Sequence, residues 1–113
     1  MDKEYIVKNK VYFRIENSEE SEYIQNYLFD LGFVWLDRLY DNFGSRFFSS
    51  HKKILSFSTN YNKNFNYYIT TNIGYTNNYL LLFIKQRQIH TGFIITCTKL
   101  MRNQKLEFLK LNG

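Results

Sequence analysis

Proline and alanine are both missing from the 113 residues of this chain. An alanine- and leucine-built helical bundle is therefore disfavoured, and sheet made from aromatic and β-branched residues is the expected alternative. A single cysteine, Cys97, excludes an internal disulfide. With two histidines and no CxxC spacing, a zinc framework of the usual kind is excluded as well. The longest apolar run, Tyr79 to Ile84, falls far short of the ~20 residues that span a bilayer, and the polar opening MDKEYIVKNK does not read as a signal peptide. These absences predict a soluble protein without membrane association, in a reducing cytoplasm. Carboxylates are scarce after residue 41, where Glu107 stands alone.

Aromatic residues are abundant: 10 Tyr, 11 Phe and 1 Trp, with 44% of the chain hydrophobic and 22% charged. That much buriable surface argues against disorder, and the length has room for one modest core, so residues 1–113 are read as a single domain. The net charge of +5 conceals a division. Residues 1–41 hold 5 Lys/Arg against 9 Asp/Glu, a net −4, and residues 42–113 hold 10 against 1, a net +9. A nearly carboxylate-free segment of that length predicts a basic surface, which attracts phosphate backbones or acidic protein faces.

Val11 to Ile15 has the pattern of a strand, beginning as early as Tyr5. Asn17 followed by Glu20 is a capping-box signature, and Glu19, Glu20 and Glu22 crowd the positive end of a helix dipole, so a helix starts near Ser18. Tyr23, Ile24, Tyr27, Leu28 and Leu31 share its inner face, and Gly32 ends it. Phe33 to Leu36 is strand-like and closes a β-α-β opening. Candidate strands follow around Ile54 to Phe57, Tyr67 to Thr71, Tyr79 to Ile84 and Phe93 to Thr98, separated by Asn-rich or basic turns. They predict an antiparallel meander. At the C-terminus, Leu106, Phe108 and Leu111 suit a strand after an Asn103-Gln104 turn. Leu100, Met101, Phe108 and Leu111 also suit a helix face, and the strand is preferred. The fold class is α+β: a β-α-β start, then an antiparallel sheet of five or six strands in all, with one main helix packed on it.

The stretch from Tyr12 to Trp35 resembles a pattern common in small phage-encoded proteins of no assigned activity: a strand, an acidic-capped helix and a Leu-Gly-aromatic-x-Trp exit. Phe13, Ile15, Ser18, Glu20, Ile24, Leu28, Leu31, Gly32 and Trp35 carry the likeness. It implies a phage or mobile-element origin, where small proteins bind and block host machinery, CRISPR effectors included. It implies no catalytic residue.

Basic residues interleaved with aromatics are the leading functional signal. Arg46, Lys52, Lys53, Lys63, Lys85, Arg87, Lys99, Arg102 and Lys105 would line a phosphate-facing surface, with Tyr61, Phe65, Tyr67 or Tyr68 exposed to stack on unpaired bases. The competing account has the aromatics filling the core and the lysines keeping the sheet soluble. Glu19, Glu20 and Glu22 could mimic nucleic acid towards a basic protein, although capping and dipole compensation already explain them. Cys97 reads as a small buried apolar residue and Trp35 as a core anchor. Gly44, Gly74 and Gly92 are isolated and form no phosphate loop.

The leading expectation is a non-enzymatic inhibitor of anti-CRISPR type, with no cofactor and no metal. Its partner would be a host protein or ribonucleoprotein, or RNA itself. The alternative is a small metal-independent ribonuclease using His51 and His90 as base and acid. A self-associating protein, paired through an exposed edge strand at Tyr79 to Ile84, is the third reading.

Overall fold

The computed structural model describes residues 1–35, 54, 67–73, 79–86, 89 and 91–112. Near the N-terminus Asp2 extends its backbone and accepts from the Tyr5 backbone N–H at 2.8 Å, which caps helix α1 (Lys3–Lys8) and buries Ile6. The expected early start of the first strand is thereby corrected. A side-chain cap satisfies helical donors that a strand would leave for a neighbour. Lys10, at φ 49°, turns the chain into β1 (Val11–Ile15).

Helix α2 (Ser18–Asp30) lies where the spacing places it. Asn17 Oδ1 accepts from the Glu20 N–H at 2.9 Å. At the other end the Gly32 N–H donates to the Phe29 carbonyl at 2.9 Å and the Phe33 N–H to the Leu28 carbonyl at 3.0 Å. This paired closure needs a left-handed residue, and Gly32 supplies it at φ 99°. Phe33 and Leu28 meet beneath it in the core, and β2 (Val34–Trp35) follows at once.

The sheet is mixed, in the order β2-β4-β3-β1-β5, with β3 (Tyr67–Ile73), β4 (Tyr79–Lys85) and β5 (Phe93–Thr96). β3 and β4 form an antiparallel pair from Tyr67↔Lys85 to Ile73↔Tyr79, and β1 runs antiparallel to β3. The meander ends there. β5 lies parallel to β1 on the far side, pairing Val11 with Phe93 and Arg14 with Thr96, and β2 lies parallel to β4. The β-α-β opening is therefore split, with β3 and β4 inserted between β1 and β2.

The C-terminal segment is a helix, α3 (Cys97–Asn112), not the expected strand, and the Asn103-Gln104 turn lies within it. Thr96 Oγ1 accepts from the Lys99 N–H at 3.2 Å at its start. From Lys99 onward the segment contains no β-branched residue and is rich in Leu, Lys, Arg, Gln and Met, all good helix formers. Thus two long helices accompany the sheet rather than one.

Ile24 and Leu28 of α2, Cys97 and Leu100 of α3, and Val11, Phe13, Ile15, Ile69, Leu81 and Ile95 of the sheet form one core cluster, so α2 and α3 cover the same face. Trp35 stacks on Phe83 at 4.4 Å between ring centroids within that layer. Alternation along the strands puts Tyr12, Val34, Tyr68 and Leu80 on the opposite face, where they are buried as well. The result is a single α+β domain whose sheet carries buried side chains on both faces, with β5 left largely exposed at its edge. No helix among the described residues is long and apolar enough to cross a membrane.

Candidate interaction surface

The C-terminal helix starts inside the fold and ends outside it. Cys97 and Leu100 are buried, whereas Phe108 is 64% and Leu111 86% exposed. Met101, Leu106 and Leu109 are exposed too, as are Phe93 and Ile94 on β5. Scattered apolar residues on a surface are ordinary, and the concentration on one strand and the helix that follows it makes this region the candidate interaction surface.

Four basic residues share that helix: Lys99, Arg102, Lys105 and Lys110, all exposed. The spacing of three and four residues sets Lys99, Arg102, Leu106 and Leu109 in one outward stripe, with Lys110 beside it. Glu107 is the helix's one carboxylate, and it is bound by the Met1 ammonium at 3.3 Å. Lys99, Arg102 and Lys105 therefore have no carboxylate three or four residues away on their own helix, whereas Glu107 stands three residues before Lys110.

Alongside lies α2, which carries Glu19, Glu20, Glu22 and Asp30 and no basic residue. Between the helices, burial raises the Tyr23 and Tyr27 phenols above their usual range, with Cys97 adding to the first and Glu107 to the second. Burial likewise pushes the Cys97 thiol up, and nearby Glu20 adds to it. A buried thiol held protonated is a poor nucleophile, so Cys97 serves packing, as its sequence setting predicts. Glu20 is raised by desolvation and by Glu16.

Of the residues singled out from sequence, Lys99 and Arg102 are brought together on α3, with Lys105 on the same helix. Lys110, which the sequence reading passed over, joins them once the segment is seen to be helical. Tyr67 and Tyr68 are buried, at 5% and 3% exposure, so neither ring is offered to a base. Tyr67 shares the helix-covered face with Ile69, and Tyr68 points to the opposite face, which is buried there as well. Lys85 closes β4 opposite Tyr67. Arg46, Lys52, Lys53, Tyr61, Lys63, Phe65 and Arg87 lie outside the described residues, as do His51 and His90. Within Tyr79 to Ile84, Leu80 and Leu81 pair with Val34 and Trp35 of β2, so that part of the strand is not an open edge. Among the described residues, no group of three or more His, Cys, Asp or Glu could hold a metal ion. No protein-family model, curated protein or solved structure matches the chain.

Proposed function

We propose that this protein is a non-enzymatic binding module that engages an anionic partner through α3, with RNA or an RNA-containing host complex as the partner class. One observation carries the reading: Lys99, Arg102, Lys105 and Lys110 stand exposed on a single helix whose end overhangs the core among uncovered leucines. Basic groups there meet phosphates, and the neighbouring apolar side chains take the faces of unstacked bases. With the phage-like opening segment, the same reading extends to an inhibitor of RNA-guided host defence, an anti-CRISPR working in the host cytoplasm.

Titrating labelled single-stranded RNA at several salt concentrations tests it. Three to four neutralised phosphates give a slope of log K against log salt of about −2 to −3. Lys99→Gln with Arg102→Gln should flatten that slope and weaken binding. Salt-independent binding, or none, overturns the proposal.

A further inference from the structure

The two helices on the core face form a self-complementary pair of stripes. On α2 the exposed stripe is Glu19, Glu22, Asn26 and Asp30; on α3 it is Lys99, Arg102, Leu106 and Lys110. Both follow the spacing three, four, four. The first helix carries −4 with no cation, and the second carries four cations against Glu107, a net +3. The helices run in the same sense, because α2 follows β1 and α3 follows β5, two parallel neighbouring strands, and both helices pack back on the same face of the sheet.

We infer that a second copy of this chain docks on this helical layer, with the basic stripe of α3 seated on the acidic α2 stripe of its partner. A two-fold axis running along the groove between the helices superposes each stripe on the other's complement, so a single operator makes the contact twice. The cations of α3 then face the carboxylates of α2 of the other copy. Leu106, half exposed in the single chain, is covered at the centre. Tyr23 and Tyr27, partly buried in the groove, meet their symmetry mates at the axis. Opposite potentials fix the register and speed the encounter, while Leu106 supplies apolar burial. Edge-to-edge pairing through β5 would instead set α3 beside α3, like charge against like.

This inference does not rest on RNA binding, although the two partners compete for the same face of α3. Sedimentation equilibrium of the full chain at low salt should return twice the chain mass, falling towards a monomer as salt rises. Two double variants carry the decisive test; all four side chains are exposed, so no packing is disturbed, and circular dichroism confirms that the lysine pair near the start of α2 leaves the fold intact. Glu19→Lys with Glu22→Lys should be monomeric, as should Lys99→Glu with Arg102→Glu. Mixed in equal amounts, the two monomeric variants should form a one-to-one heterodimer, because both contacts of the mixed pair are again complementary. A wild-type chain that is monomeric at all salt concentrations overturns the inference, even if it binds RNA. A dimer that survives both reversals overturns it in favour of another interface. Failure of the mixed variants to associate overturns it equally.

Discussion

The Trp35 indole Nε1 donates to Gln25 Oε1 at 3.0 Å, and both side chains are inside the core. Gln25 Nε2 in turn donates to Ser21 Oγ at 2.9 Å, so a short polar chain pins α2 to β2 in otherwise apolar surroundings. Buried polar groups cost little when matched and much when one partner is removed. Trp35→Phe should therefore cost about 1–3 kcal/mol beyond its packing loss, and Gln25→Leu a similar amount. The double variant should cost clearly less than the sum. Urea unfolding of the four proteins in the cycle checks this, and strict additivity would show that the bond contributes nothing.

Two glycines occupy left-handed backbone, and their surroundings rank them. A Cβ at Gly32 (φ 99°) would meet only the flexible Lys3 side chain, at 3.5 Å from Nζ, so Gly32→Ala should cost about 1–2 kcal/mol for conformation alone. A Cβ at Gly92 (φ 130°) would run into the Lys10 carbonyl oxygen and come within 2.8 Å of the Tyr12 ring. Gly92→Ala should be the costlier change and should speed amide exchange along the β1–β5 pairing. Thermal unfolding and hydrogen exchange measure both effects.

Along α3, burial divides side chains of similar chemistry. Leu100→Ala, at 1% exposure, should cost about 2–5 kcal/mol. Leu111→Ala, at 86%, should stay within about 0.5 kcal/mol. Denaturant midpoints at concentrations where the chain is monomeric would show the contrast.

Removing the α2 cap with Asn17→Ala should cost about 1 kcal/mol, because the Glu20 N–H loses its acceptor. Asn17→Ser or Asn17→Asp should recover most of it. Guanidinium unfolding of the three variants distinguishes capping from nonspecific loss.

Stability should fall with alkali. Burial raises Cys97, Tyr23 and Tyr27 in the folded protein, so the folded state keeps protons that the unfolded chain has released. Their contribution is complete below the unfolded values and is lost as pH rises through the folded ones, beginning near about pH 8.5 for the thiol. Urea midpoints between pH 7.5 and 10.5 should decline, and Cys97→Ala should flatten the first part of that decline.

Local chemistry made α2 legible. Asn17 caps it, Gly32 closes it, and both signals act within a turn of the residues they affect. The strands β1, β3, β4 and β5 were legible from β-branched and aromatic content. Helix α1 was missed because its cap is one aspartate and its core contribution one isoleucine. Helix α3 was missed because Leu106, Phe108 and Leu111 satisfy both periodicities over so short a stretch, and the lack of β-branched residues from Lys99 onward was the signal that could have settled it. That misreading also hid the grouping of Lys110 with Lys99 and Arg102.

By itself the sequence determined the division of charge, the capped α2 helix, the α+β class and the packing role of Cys97, because each depends on composition or on contacts a few residues apart. Tertiary structure alone decided that β5 pairs with β1 in parallel and that β3 and β4 split the opening β-α-β. It also buried Tyr67 and Tyr68 and set a basic helix beside an acidic one on a single face. Those outcomes depend on which distant segments meet, and a pattern of period two or 3.6 specifies a face without naming its neighbour.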